Sequence, residues 1–215
     1  MPERFPGYDV LNKRNSMSWN DQTRTVIDQR LAIDPNKHAF FNDIEWQTLR
    51  AVCDRIVPQT VARPRPVPLA AMIDEKMRGT SSEGYRYAEL PPMGEAWRRG
   101  LAALDAEAQT RQGRRFHDLG ALEQDAILSA VQDGKVRAPA WRDLPPKSFF
   151  AKRVLHDIVS AYYAHPTSWN EIGFGGPASP RGYVRMYFDR RDPWEASEAR
   201  PGREAQARRE NARVG

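Results

Sequence analysis

The segment from Ser148 to Tyr163 is too apolar for a helix with one wet face. Phe149, Phe150, Val154, Leu155, Ile158, Val159 and Tyr162 spread over more than one helical stripe. A helix of that kind has to be covered on several sides, so the pattern predicts a central helix with others packed around it. His165-Pro166 closes it. No stretch of the chain alternates with period two, and no internal repeat is present. The expected fold class is therefore all-α.

The surrounding segments fit that plan. Asn42-Asp43-Ile44-Glu45 reads as a helix start, with Asn42 as the cap and Glu45 reaching back to the cap's backbone N–H. Ile44, Leu49, Val52, Cys53, Ile56 and Val57 supply the apolar face, and Pro58 stops the helix. A proline-rich connector around Pro64, Pro66 and Pro68 leads to a short helix over Leu69 to Met77. Pro92 opens a long helix on which Met93, Trp97, Leu101, Leu104 and Ala108 share one face, and Gly113 ends it. Helical spacing resumes from Leu122 to Gln132.

The two ends differ from the middle. Residues 1 to 38 read as an arm with one short helix over Asp21 to Ile33. From Asp189 onward Arg, Glu, Ala and Gln dominate, and Trp194 and Val214 are the only large or branched apolar residues. Such a tail buries too little surface to offset its ordering entropy, so it is expected to be disordered alone or wrapped on a partner. The expected organisation is an N-terminal arm (1–38), a compact domain of about five to six helices (39–188) and a charged tail (189–215).

Charge and cysteine usage exclude several roles. The net charge of +5 is spread among interleaved acids, as in Asp189-Arg190-Arg191-Asp192, and no helix carries a one-sided basic stripe. No nucleic-acid role is expected. No apolar run approaches the roughly 18–20 residues of a membrane span. The first 17 residues lack the apolar core of a secretory signal, so a cytoplasmic location is expected, or a periplasmic one only by co-export with a partner. Cys53 is the single cysteine, which rules out a disulfide or a cysteine-based metal cluster within this chain. It reads as a small buried hydrophobe.

Catalytic motifs are missing from the sequence. His38, His117, His156 and His165 are scattered, without metal-ligand spacing. There is no dinucleotide fingerprint, phosphate-binding loop or nucleophile elbow. His156-Asp157 is the one pair worth weighing. A stand-alone enzyme would use it for acid–base work. A histidine of the core or of an interface, with Asp157 tied to Arg153 or a loop donor, fits better because no nucleophile is spaced to serve it.

Trp169-Asn170-Glu171-Ile172-Gly173-Phe174-Gly175-Gly176-Pro177 packs large apolar anchors beside glycines that permit close approach. Two readings stay open. The motif either tucks Trp169 and Phe174 under the chain's own helices or presents them to another chain. Behind it, the segment from Pro180 to Phe188 alternates aromatic and basic residues in extended fashion, and Trp194 follows. An arm packed on its own domain and an arm packed on a partner are both consistent. The partner reading assigns Trp169, Ile172, Gly173, Phe174, Gly175, Gly176, Pro177, Tyr183, Tyr187 and Trp194 to an interface.

The order of these segments resembles the small subunit of gluconate 2-dehydrogenase, the subunit 3 family. The resemblance rests on Phe41 to Trp46 leading into Asp54-Arg55-Ile56-Val57-Pro58, then Pro68 to Met77, then Gly100-Leu101-Ala102-Ala103-Leu104-Asp105. Phe116, Leu119, Gln124, Ile127 and Leu128 follow, then Phe149-Phe150 to Tyr163, and last Trp169 with Ile172-Gly173-Phe174-Gly175-Gly176-Pro177. It spans roughly residues 40 to 190. The twin-arginine export signal of many members is not present, and the basic tail is no family hallmark. The resemblance implies a non-catalytic subunit without a cofactor of its own. Its partner would be a large FAD-dependent oxidoreductase of the glucose–methanol–choline type, acting on sugars, sugar acids or polyols; in some systems a cytochrome subunit takes the electrons. The small subunit would stabilise the large one and help it fold. The alternative is an escort that accompanies the large subunit to export and then leaves.

Overall fold

A computed structural model of the chain describes residues 3–60, 65–79, 87–185 and 191–214. It is all-α. The helices are α1 (Asp21–Leu31), α2 (Asp43–Ile56), α3 (Leu69–Arg78), α4 (Met93–Gln112), α5 (Ala121–Asp133), α6 (Pro146–Phe149), α7 (His156–Ala164), α8 (Pro166–Ile172) and α9 (Glu204–Asn211). Residues Phe150–Leu155 join α6 to α7 as a π-helix. No strand forms among the described residues; an isolated parallel bridge joins Trp19 to Ser179. The chain divides into a middle unit, 34–162, and a terminal unit built from both ends, 1–33 with 163–215.

In the middle unit local chemistry sets the helix ends. Asn42 Oδ1 accepts the N–H groups of Ile44 and Glu45, and Glu45 returns the contact to the Asn42 N–H. This capping box holds three donors that would otherwise be orphaned. Gly113 (φ 68°) and Gly134 (φ 73°) end α4 and α5 in the left-handed conformation. Trp97, Leu101, Leu104 and Ala108 of α4 are buried, as their spacing requires. They meet the central helical run through Phe149, which packs edge-on to Trp97 at 5.7 Å. Phe149, Phe150, Val154 and Ile158 are buried, whereas Val159 is exposed. The run is thus central to the unit but retains one wet edge. Cys53 is buried, and burial pushes its thiol pKa well up. Ile44, expected on the buried face of α2, is exposed because it falls in the first turn.

Buried carboxylates (Asp74, Glu107, Asp157) and the half-buried Asp105 tie the loops to the helices. Asp74 of α3 accepts the N–H groups of Ala39, Phe40 and Phe41 at 2.9–3.0 Å. Asp105 accepts from Phe116 N–H and from the Thr48 hydroxyl. Glu107, fully buried, accepts from Arg137 and Ala138 N–H and from Arg111 Nε. Asp157 accepts from Trp97 Nε1 at 2.7 Å and pairs with Lys76 and Arg153. A buried carboxylate costs several kcal/mol unless it is saturated in this way.

The terminal unit departs from the expected arms. Phe5, Tyr8, Val10, Trp19 and Ile27 from the N-terminal side form one core with Trp169, Trp194 and Val214 from the C-terminal side. Tyr8 Oη donates to the Trp194 carbonyl at 3.1 Å. Asn211 of α9 donates to the Pro6 carbonyl and bonds both the N–H and the carbonyl of Ser197. The Ala199 N–H donates to the Arg4 carbonyl. Neither end could bury enough surface alone; paired, they share eight buried apolar anchors. The terminal unit thus joins the segment expected as an N-terminal arm to the charged segment expected to be disordered alone or wrapped on a partner.

Candidate partner interface

The glycine-rich motif begins as helix, not as turn. His165 caps α8 through Nδ1, which accepts the Thr167 N–H, and Pro166 takes the first helical position, where its missing N–H costs nothing. Gly173 ends α8 at φ 67°, and the N–H groups of both Gly173 and Phe174 return to the Trp169 carbonyl. The chain therefore reverses with Trp169 pointing inward. Its indole is 3 % exposed and donates Nε1–H to the Tyr163 carbonyl.

The glycines do allow close approach, and this chain's own arm uses it. A Cβ on Gly173 would stand 2.5 Å from the Phe5 ring, and one on Gly176 2.9 Å from the Trp169 indole. Lys13 Nζ lies beside Gly175 and donates to the Pro177 carbonyl at 3.4 Å. Val10 N–H donates to Asn170 Oδ1 at 2.8 Å. Trp194 is buried as well, with the Arg181 guanidinium 4.4 Å over its face. The partner reading assigns Trp169, Gly173, Gly175, Gly176 and Trp194 to an interface; within the terminal unit they also pack against the N-terminal arm and its neighbours, which supply apolar surface to the motif. Pro177 is half-buried beside them.

The rest of the set does reach the surface. Ile172 is 44 % exposed, Phe174 38 % and Tyr183 70 %. Phe174 stands edge-on to Trp169 at 5.7 Å and stacks on Tyr183 at 6.3 Å with an interplanar angle of 25°. Val184, not singled out from the sequence, is 76 % exposed next to Tyr183. Tyr187 lies outside the described residues. An anchored indole thus carries an outer pair of stacked aromatics, with exposed Ile172 and Val184 close by in the sequence. The rings are held by packing on one side and open to solvent on the other, which suits protein docking.

Electrostatics mark the arm side of the motif. Lys13 is 1 % exposed; burial, assisted by the nearby Arg181 charge, lowers its pKa to about 8. Its ammonium sits 5.6 Å from the Trp19 ring. Burial, reinforced by Asp9, raises the pKa of Tyr8 to about 12. His156, the other candidate, bonds Asp157 at 3.1 Å, and Asp157 is committed to Trp97, Lys76 and Arg153. Among the described residues, no three His, Cys, Asp or Glu side chains gather as a metal site, and no helix is long and apolar enough to cross a membrane.

The fold is all-α, and Phe174, on the turn anchored by Trp169, stacks on Tyr183 at the surface. The chain belongs to the gluconate 2-dehydrogenase subunit 3 family, whose model matches residues 43–176, more than half of its length. No curated protein and no solved structure matches it.

Proposed function

We propose that this chain is the non-catalytic small subunit of a dehydrogenase complex, stabilising a large FAD-dependent subunit of the glucose–methanol–choline type and helping it to fold. Membership of the subunit 3 family carries the reading. The stacked Phe174–Tyr183 pair with the exposed Ile172 and Val184 supports it, since exposed aromatic and aliphatic side chains offer a docking surface. The complex would oxidise a sugar, sugar acid or polyol, the flavin being held by the large subunit; a cytochrome would be a third component.

The test is purification of the tagged chain from its native source at high salt. A stoichiometric flavoprotein that keeps sugar- or polyol-oxidising activity supports the reading. Recovery of the chain alone, together with a fully active large subunit made without it, would overturn it. The escort alternative gives a third pattern: association only with newly made large subunit and none with the mature enzyme.

A further inference from the structure

The C-terminal segment carries a concave site that lies outside the span matched by the family. A cavity of about 310 Å³ is lined by Arg191, Ser197, Glu198, Arg200, Arg203 and Gln206, with alanine side chains as its apolar floor. The neutral and acidic groups around it are already engaged. Ser197 Oγ and Gln206 Nε2 both donate to Glu210, and Glu198 pairs with Arg4 at 2.6 Å. Arg191 is fixed from behind by Glu210 and the Glu195 carbonyl.

Arg200 and Arg203 are different. Both side chains line the cavity, and among the described residues no carboxylate is paired with either. Arg191, Arg200 and Arg203 are solvent-exposed and line one concavity, which concentrates positive charge where an anion can enter. Each presents donors in a planar fork that matches an oxyanion. The volume is at the small end of ligand sites, room for a molecule of a few anionic groups and too little for a protein surface.

We propose that this cavity is a binding site for a small polyanion, held through phosphate or carboxylate groups by Arg200 and Arg203 with Arg191 behind them. By linkage such a ligand stabilises the terminal unit, because the site exists only while residues 191–207 are folded. The site does not depend on the subunit role proposed above, and its test needs only the isolated full-length chain.

Calorimetric titration with pyrophosphate and with citrate, against sodium chloride at matched ionic strength, checks it. The expected result is saturable one-site binding of at least one of the two, with a rise in melting temperature that chloride does not give. Preference for pyrophosphate identifies a phosphate ligand, and preference for citrate a carboxylate one. Arg200→Gln and Arg203→Gln should each weaken binding by about tenfold or more, as expected for loss of one charge-assisted contact. Arg209→Gln, on the exposed face of α9, should leave it unchanged. No binding of either anion by the folded chain, or equal binding by the Arg200→Gln/Arg203→Gln double variant, would overturn the proposal.

Discussion

Gly100 of α4 lies directly against the ring of Phe149, so closely that a Cβ built on Gly100 would overlap it. The Phe149 ring is thereby seated in a notch of the α4 backbone, with Trp97 edge-on and Trp141 at 6.0 Å. The glycine is needed for space, since α4 continues through this position as ordinary helix.

Gly100→Ala should therefore destabilise the middle unit by about 1–3 kcal/mol, although alanine is the better helix former by about 1 kcal/mol. Gly100→Val should cost more. Denaturant melting measures both. Shrinking the ring with Phe149→Leu should make Gly100→Ala less costly than it is alone, so the double-mutant cycle should show coupling. Additive effects would mean that the notch relaxes without strain.

Glu107 gives a pH test. Burial alone would raise its pKa, but the Ala138 N–H, Arg111 and the Arg137 N–H outweigh it, and the carboxyl lies below its ordinary 4.5. A folded pKa below the unfolded value means stability that is present above pH 4.5 and lost as pH falls through the folded value. Glu107→Gln should destabilise the protein by about 1–3 kcal/mol at pH 7. The gap should narrow in melts below pH 4.5.

Lys13 has the opposite pH signature. Its pKa is about 8 when folded, against 10.5 for the free side chain. The unfolded chain binds the extra proton between those values, so stability should rise from about pH 8 upward, by at most about 3 kcal/mol. Tyr8 works against this above pH 10. Its folded pKa of about 12 exceeds the ordinary 10, so its contribution is lost as pH rises through 12. Lys13→Met should raise the melting temperature at pH 7 and flatten its rise between pH 8 and 10.

Tyr183 and Trp169 separate docking from core. Tyr183→Ala should change the melting of the free chain by less than about 0.5 kcal/mol, as a surface change does. It should weaken association with the proposed large subunit about tenfold or more, the scale of an interface anchor. Trp169→Ala removes a buried indole and should cost the chain itself about 3–5 kcal/mol. Titration calorimetry alongside denaturant melts would show the two responses. Unchanged affinity in Tyr183→Ala would remove this patch from the interface.

The helices of the middle unit were legible because their signals are local. The Asn42–Glu45 capping box, Pro92, Gly113 and the α4 stripe all act within a few residues of the positions they control. So was the demand for a central helix, since the excess of apolar residues from Phe149 onward needs covering. Two other outcomes depended on residues far apart in the chain. Trp169 and the glycines around it form a sequence equally suited to a partner or to the chain itself. The choice fell to Phe5, Val10 and Lys13, some 160 residues away, which fill the space that the glycines leave. Likewise the tail has too few apolar side chains to fold by itself. Trp194, Ala207 and Val214 become core residues only once Tyr8 and Pro6 supply the opposite surface and the hydrogen-bond partners. Composition measures what a segment can bury alone. Whether two poor segments complete each other is decided when tertiary packing brings them together, at a shared entropic cost that neither could offset separately.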